Sequence, residues 1–288
     1  MADVLIPRLA IIGVGLIGGS LSLALKEAGA VGEVVGCGRG KPNLEKALEL
    51  GVIDWYSRDP LNAVRDADVV FLATPVKTLA TVTKELLPGC KSGAIITDGG
   101  SVKGAVAEMI EPLIPEGIHF VPGHPIAGTE KSGAEAAFPT LYRGKRCILT
   151  PTENTDPEAL ALVEKMWELA GSEVVKMSLE KHDRVLASIS HLPHMVAYSL
   201  VNAVGSYDHY EENILEYSAG GFRDFTRIAS SDPTMWRDIA ETNRDGLLEM
   251  MEQFETYFAE LKADIAEGNS EKLFEFFNRS KQLRDAIL

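Results

Sequence analysis

Cysteine is scarce. Cys37, Cys90 and Cys147 are the only three in 288 residues, they lie far apart, and no CxxC pair occurs. Neither a disulfide framework nor a thiolate zinc site can be read from that pattern. Basic charge is short as well, with 28 Lys and Arg against 42 Asp and Glu and a formal net charge of −14. Such an excess of acid argues against non-specific binding to nucleic acid or to an anionic membrane, since both need basic surface. An anionic ligand must therefore be met by a local cationic cluster. Long apolar runs are missing too: no stretch reaches the roughly 18 apolar residues of a membrane span. The N-terminal MADVLIPRLAIIG lacks a basic segment ahead of its glycine-interrupted apolar run, so it does not read as a secretory signal. The expected compartment is the cytoplasm.

What remains is the composition of a globular protein, 45% hydrophobic and 24% charged, with enough length for about two domains. The first 178 residues alternate short apolar runs with amphipathic segments. Leu9–Ile12, Glu33–Cys37, Asp68–Ala73, Ala94–Thr97, His119–Val121, Arg146–Thr150 and Glu173–Met177 read as strands, being short and rich in Val and Ile. Ser20–Ala28, Leu44–Leu50, Thr78–Leu86, Lys103–Leu113 and Pro157–Ala170 read as helices between them. That alternation predicts an α/β fold, a doubly wound, mostly parallel sheet.

After Met177 strand-like runs disappear, and Glu180–Val204, Pro233–Glu267 and Ser270–Leu288 read as helices with apolar stripes,. The spacing places a dinucleotide-type domain over 1–178 and an all-α domain over 179–288. SSDP ahead of residue 234 reads as a helix start with Pro233 at its first position. The striped helices need a surface to bury against. A homodimer through them is the preferred outcome, with a self-contained bundle as the alternative.

Gly13-Val14-Gly15-Leu16-Ile17-Gly18 follows a predicted strand and opens a predicted helix, the context that turns a GxGxxG string into a dinucleotide fingerprint. Gly13 allows the tight turn, Gly15 lets backbone approach a pyrophosphate, and Gly18 lets helix and strand pack closely, with phosphates held at the helix start around Leu16 and Ile17. An acid about 20 residues further on would bind the adenosine 2′-hydroxyl. Here the second strand ends Gly36-Cys37-Gly38-Arg39-Gly40-Lys41. Arg39 and Lys41 can face a 2′-phosphate or lie in solvent, which leaves NAD and NADP both open. Thr74 and Pro75 end the next strand at the ligand edge of such a sheet, where they either shape the wall beside the nicotinamide ribose or form a plain loop.

Three further regions carry more polar groups than loops need: DGGSVK at 98–103, PGHPIAGTE at 122–130, and the pair SHLPH at 190–194 with GGFRDFTR at 220–227. With GHPIAGTEKSG and GGFRDFTRIASSDPTMW as long matches, the chain resembles the prephenate/arogenate (cyclohexadienyl) dehydrogenase family of tyrosine biosynthesis, from the glycine motif to Trp236. It reads as the minimal, monofunctional version, with neither a mutase domain before it nor a regulatory domain after it.

The resemblance implies oxidative decarboxylation of prephenate to 4-hydroxyphenylpyruvate with hydride transfer to NAD(P)+, NAD being the family's usual partner. Arogenate, or both substrates, is the alternative. It implies that His124 is the acceptor for the ring C4 hydroxyl, a task that suits a neutral imidazole with an ordinary pKa of about 6.5. Ser101 would support that contact; read alone, Ser101 is a helix cap ahead of Lys103. The resemblance makes Arg227 the cation for the ring carboxylate, a job that fits a planar bidentate fork. Arg223, one helical turn earlier, is the lesser candidate. His194 falls near the substrate side chain, where a contact to a keto-acid carboxylate would favour prephenate. His191, Gly220, Thr129 and Trp236 line the same region, and Glu130, Asp183 and Asp224 gate or frame the pocket. A His-x-x-His spacing at 191 and 194 could suggest metal, but no further ligand completes a set, so none is expected. His119, His182 and His209 carry no assigned role.

Two other readings stand beside this one. A β-hydroxyacid dehydrogenase or imine reductase of similar architecture relies on a helical-domain lysine as proton donor, whereas the best-placed groups here are His124 and Arg227. A dinucleotide-sensing protein without chemistry predicts a spoiled acceptor or a missing anion site, and both are present.

Overall fold

The computed structural model describes residues 4–129, 131–208 and 214–287. The chain opens with β1 (Ile6–Ile12), α1 (Leu16–Glu27), β2 (Val31–Cys37), α2 (Lys41–Glu49) and β3 (Trp55–Ser57). It continues through α3 (Pro60–Ala63), β4 (Val69–Leu72), α4 (Leu79–Leu86), β5 (Ile95–Asp98), α5 (Gly104–Ile110) and β6 (His119–Val121). All six strands form one parallel sheet in the order β3-β2-β1-β4-β5-β6. The strand order reverses between β1 and β4, which opens a crevice at their carboxyl ends.

The strands read as unbroken apolar runs because both faces are covered. Leu9 and Ile11 of β1 face a core shared with Leu21 and Leu25 of α1 and with Trp167. Ala10 and Ile12 face the opposite core, with Leu79 and Leu86 of α4 and Val106 and Ile110 of α5. Phe71 of β4 and Tyr142 both meet the Trp167 ring edge-on, at centroid distances of 5.7 and 5.1 Å.

Three elements depart from the expectation of a single sheet. β7 (Gly123–Pro125), β8 (Arg146–Leu149) and β9 (Glu173–Lys176) form a separate three-stranded sheet, β7 antiparallel and β9 parallel to β8, with α6 (Pro157–Leu169) between β8 and β9. The break falls at Pro122. Its missing N–H cannot continue the ladder to β5, and the next amide, Gly123 N–H, donates instead to the Asp98 side chain at 3.1 Å. The chain thus leaves the main sheet two residues before His124. β3 and β7 are each three residues long and leave no periodic trace in the sequence.

The helical region comprises α7 (Leu179–Leu186), α8 (Leu192–Asp208), α9 (Gly220–Thr226), α10 (Pro233–Thr242), α11 (Arg244–Glu267) and α12 (Ser270–Asp285). The helix expected over Glu180–Val204 is interrupted by a wide π turn at Ala187–His191, where Leu192 N–H bonds back to Ala187 O. Pro193 accounts for it, since proline has no N–H for the regular ladder. The helix expected over Pro233–Glu267 is split at Asn243, which has φ −110° and ψ 39°. Asp232 caps α10 as the SSDP motif suggests, accepting from Thr234 N–H at 2.7 Å and Met235 N–H at 3.0 Å. Among the described residues no helix is long and apolar enough to cross a membrane.

Candidate active site

The glycine turn is built for a close neighbour. Gly13 has φ +104°, and a Cβ there would stand 2.5 Å from Ala73 O; a Cβ on Gly18 would meet Gly13 O and the Ile11 side chain at 2.6 Å. A Cβ on Gly15 would meet nothing within 4 Å, so the surface over Gly15 is open to a ligand. α1 starts there without a side-chain cap, so its Leu16, Ile17 and Gly18 amides point toward an anion site. Across the crevice Thr74 Oγ1 is buried without a protein partner, while its methyl lies 3.1 Å from where a Gly13 Cβ would be. Pro75 is exposed beside it. At the end of β2, Arg39 and Lys41 are both exposed, and Lys41 pairs with Glu45 at 3.3 Å.

The second centre lies where β5, β7 and the helical region meet. Asp98 and Lys103 form an ion pair that is fully buried on both sides. Lys103 Nζ also donates to Gly123 O at 2.7 Å, and Asp98 accepts from Gly100 N–H at 2.8 Å. Burial pulls the Lys103 ammonium below its ordinary pKa, and the Asp98 carboxylate opposes that pull. The pair clamps β7, which presents His124.

His124 is 8% exposed, with Nδ1 2.9 Å from His182 Nε2. His182 Nδ1 lies 2.7 Å from Asp183 Oδ1. The Asp183 carboxylate also accepts from Lys103 N–H and Gly104 N–H, each at 2.8 Å. Asp183 is therefore the cap of α5, delivered through space from α7, and Ser101 does not cap that helix. Burial alone would raise the Asp183 carboxyl, but the bonds from His182, Lys103 and Gly104 outweigh it and hold it below the ordinary value. Burial, then the neighbouring His182, Lys103 and His191, pushes His124 well below 6.5. His182 is also lowered, by burial first, against the pull of Asp183. Both imidazoles are neutral at pH 7.

The wall opposite comes from the π turn, α8 and α10. Asn243 Nδ2 donates to Asp183 O at 2.9 Å and to His191 Nδ1 at 3.1 Å. The carbonyl fixes which end of the amide faces His191, so His191 carries its proton on Nε2. That Nε2 is buried without a protein partner, as is Trp236 Nε1. The two rings meet edge-on with centroids 6.0 Å apart, so two donors without protein partners belong to neighbouring rings. His194 Nδ1 donates to Ser190 O at 2.8 Å, and Arg227 is near enough to help depress the His194 pKa, after the larger effect of burial. Arg223 instead donates from Nε to Ser218 Oγ at 3.4 Å.

Not every expected residue joins this centre. Asp183 is fully engaged between α5 and His182 and does not act as a free gate. Thr129 is exposed and its Oγ1 accepts from Lys131 N–H at 3.2 Å. Gly220 and Asp224 lie exposed on α9, and Glu130 falls outside the described residues. His194 needs revision: with Nδ1–H committed to Ser190 O, the neutral ring offers a bare Nε2, and only its protonated form donates to a carboxylate. His182 and Asn243, given no role by the sequence, tie the centre together. The adjacent His182-Asp183 pair was the one local signal for the first; nothing in the helical pattern around Asn243 marks the second.

Residues 21–176 match the prephenate dehydrogenase nucleotide-binding domain, and residues 178–279 match the prephenate dehydrogenase dimerization domain. The chain belongs to the prephenate dehydrogenase family. It is 38% identical to a cyclohexadienyl dehydrogenase of Zymomonas mobilis, over 97% of this chain and 96% of that protein. It is 37% identical to a prephenate dehydrogenase of Bacillus subtilis, over 96% of this chain and 74% of that one. A solved structure of the A. aeolicus prephenate dehydrogenase, in complex with hydroxyphenyl propionate and NAD+, superposes with a TM-score of 0.91, 40% identity and 98% coverage of both chains. Family membership gives the chain a nucleotide-binding domain that uses NAD(P). The Gly13–Gly18 cradle, the uncapped start of α1 and the orphaned Thr74 hydroxyl all fit such a group.

Proposed function

We propose that this chain carries out the oxidative decarboxylation of prephenate to 4-hydroxyphenylpyruvate with NAD(P)+. The carrying observation is His124, a buried neutral imidazole held beside the dinucleotide crevice with its Nδ1 turned inward. NAD(P)+ held at the Gly13–Gly18 cradle and the start of α1 would supply the acceptor for the hydride that leaves the ring C4. His124 accepts the C4 hydroxyl proton as that hydride leaves, with Ser101 as supporting hydroxyl at the end of β5. Arg227 holds the ring carboxylate, which departs as CO2 as the ring becomes aromatic. His191 Nε2–H and Trp236 Nε1–H donate to the acceptor oxygens of the pyruvyl side chain. NAD is the favoured cofactor on the strength of the A. aeolicus complex, while Arg39 at the end of β2 gives a 2′-phosphate a cation.

A specific observation also favours arogenate as a second substrate. The bare Nε2 of neutral His194 is an acceptor, and the ammonium of an alanyl side chain is a donor. The test is initial rate with prephenate and with arogenate, each with NAD and NADP, followed by the absorbance of reduced nicotinamide. Turnover of prephenate is expected. Turnover of arogenate alone would overturn the substrate assignment, and no turnover from folded, cofactor-binding protein would overturn the reaction.

The same reading makes the protein a homodimer through α11 and α12. These helices leave Phe258, Ile265, Phe274 and Phe277 55–71% exposed, an apolar stripe too large for a lone surface. Light scattering should give twice the 31.2 kDa chain mass.

A further inference from the structure

Building on the prephenate reading, we propose that His182 and Asp183 are positioning residues that fix the proton of His124 on Nδ1 and keep Nε2 bare as the acceptor. The assignment follows from the far end of the chain of bonds. Lys103 N–H and Gly104 N–H can only donate, and both are 2.8 Å from the Asp183 carboxylate. Asp183 is thus an acceptor on every side, so His182 Nδ1, at 2.7 Å, must carry its hydrogen,. A neutral imidazole has one proton, which leaves His182 Nε2 with a lone pair. His124 Nδ1, 2.9 Å away, must then be the donor. Its own single proton is used, and the Nε2 that faces outward is bare. The opposite tautomer would set two lone pairs face to face in a site where His182 is 0% exposed, with no water to relieve them.

The arrangement does more than hold a ring. When the C4 hydroxyl proton arrives on His124 Nε2, the cationic ring still donates Nδ1–H to His182, whose far side is bound to a carboxylate. No proton leaves the three residues, and the new charge forms at one end of a chain already terminated by an anion. This is the logic of a carboxylate orienting a catalytic imidazole, with a second imidazole between them. Asp183 is itself immobilised by the amide groups of α5, so the setting extends from the helical region into the nucleotide-binding domain. His182 has both ring nitrogens committed and no surface for substrate, so it acts only through His124.

The test uses the full-length protein. With 15N-labelled histidine and the His124→Asn variant for assignment, long-range 1H–15N spectra at neutral pH without substrate should show His124 protonated on Nδ1 and unprotonated on Nε2. In steady state, His182→Leu should lower kcat by about 10²-fold or more while the KM values for prephenate and NAD stay within about twofold. His182→Gln, whose carbonyl oxygen replaces Nε2 as acceptor, should recover about tenfold or more of that loss. An Nε2–H tautomer in the wild-type spectrum would overturn the proposal even if His182→Leu failed to fold. So would unchanged kcat in folded His182→Leu, a change confined to KM, or a Gln variant no better than Leu. Wild-type turnover of prephenate separately decides the underlying reading, so the two failures are distinguishable.

Discussion

The imidazole of His194 lies on the indole of Trp236, ring centroids 3.7 Å apart and planes inclined by 23°. Stacked there, with Nδ1–H spent on Ser190 O, His194 presents one nitrogen whose character depends on pH. Burial, and then Arg227, set its pKa below 6.5. Below that value the ring gains an Nε2–H and a positive charge, which suits a side-chain carboxylate; above it the bare Nε2 suits an ammonium. The KM for prephenate should therefore be flat above pH 6.5 and fall as pH is lowered below it, by roughly tenfold at most, and the KM for arogenate should rise over the same range. His194→Ala should flatten both trends. Parallel profiles for the two substrates in the wild type would show that His194 does not read the side chain.

His124 must be neutral to accept a proton, and burial with its cationic and imidazole neighbours keeps it so until well below pH 6.5. The acidic limb of log kcat should lie below pH 6.5, with a plateau through neutrality. His124→Asn should reduce kcat by about 10²–10⁴-fold without loosening NAD. A limb above pH 6.5 would assign the titration to another group. Stability follows the same sign. His124, His182 and His191 all have folded pKa values below the unfolded value of about 6.5, His191 being pushed down to about 4 by burial. Below 6.5 the unfolded chain binds more protons, so the contribution of these neutral rings is complete above 6.5 and lost as pH falls toward 4. Melting temperature should drop across that window, and less steeply in His191→Asn.

Gly13 and Gly15 separate folding from cofactor binding. At Gly13 an alanine meets φ +104° and a backbone oxygen 2.5 Å away, so Gly13→Ala should cost on the order of 1–3 kcal/mol of stability and abolish turnover. At Gly15 φ is −117° and the Cβ has open space. Gly15→Ala should melt within about 0.5 kcal/mol of wild type, yet raise the KM for NAD about tenfold or more, because its methyl stands where a pyrophosphate must approach. Unchanged KM in Gly15→Ala would remove the cradle from the binding site.

The legible parts of this protein are those encoded within one turn or strand. Gly13–Gly18 announces itself because each glycine answers a local demand, and the alternation of Val- and Ile-rich runs with amphipathic helices shows the sheet because both faces of it are buried. The proton chain was not legible for the opposite reason. His182 acquires its meaning from His124, 58 residues away, and Asp183 from the amides of 103 and 104, about 80 residues away. Hydrogen bonds of that reach leave no periodicity. Asn243 is hidden inside a continuous helical pattern, because the helix breaks there to supply an amide to His191 rather than for any reason of propensity. GHP at 123–125 reads as a loop, since glycine and proline are poor strand formers, and it becomes a strand only through β8.

The buried pair Lys103–Asp98 holds the strand that carries His124, and its two contributions can be pulled apart. Lys103→Met leaves Asp98 with an uncompensated charge in a site of 0% exposure, which should cost about 3–5 kcal/mol in urea unfolding. Adding Asp98→Asn removes that charge, and the double variant should regain part of the loss. Recovery should be incomplete, since an amide has one oxygen where the carboxylate accepts from both Gly100 N–H and Gly123 N–H. Activity should not recover with stability. Lys103 Nζ also holds Gly123 O, one residue before His124, and no methionine supplies that bond. The double variant should therefore fold and bind NAD while its kcat remains depressed by about tenfold or more, roughly the worth of one hydrogen bond to a charged group. A double variant as unstable as Lys103→Met would show that the stored cost is packing rather than charge. A double variant with full kcat would show that the Gly123 tether does not align His124.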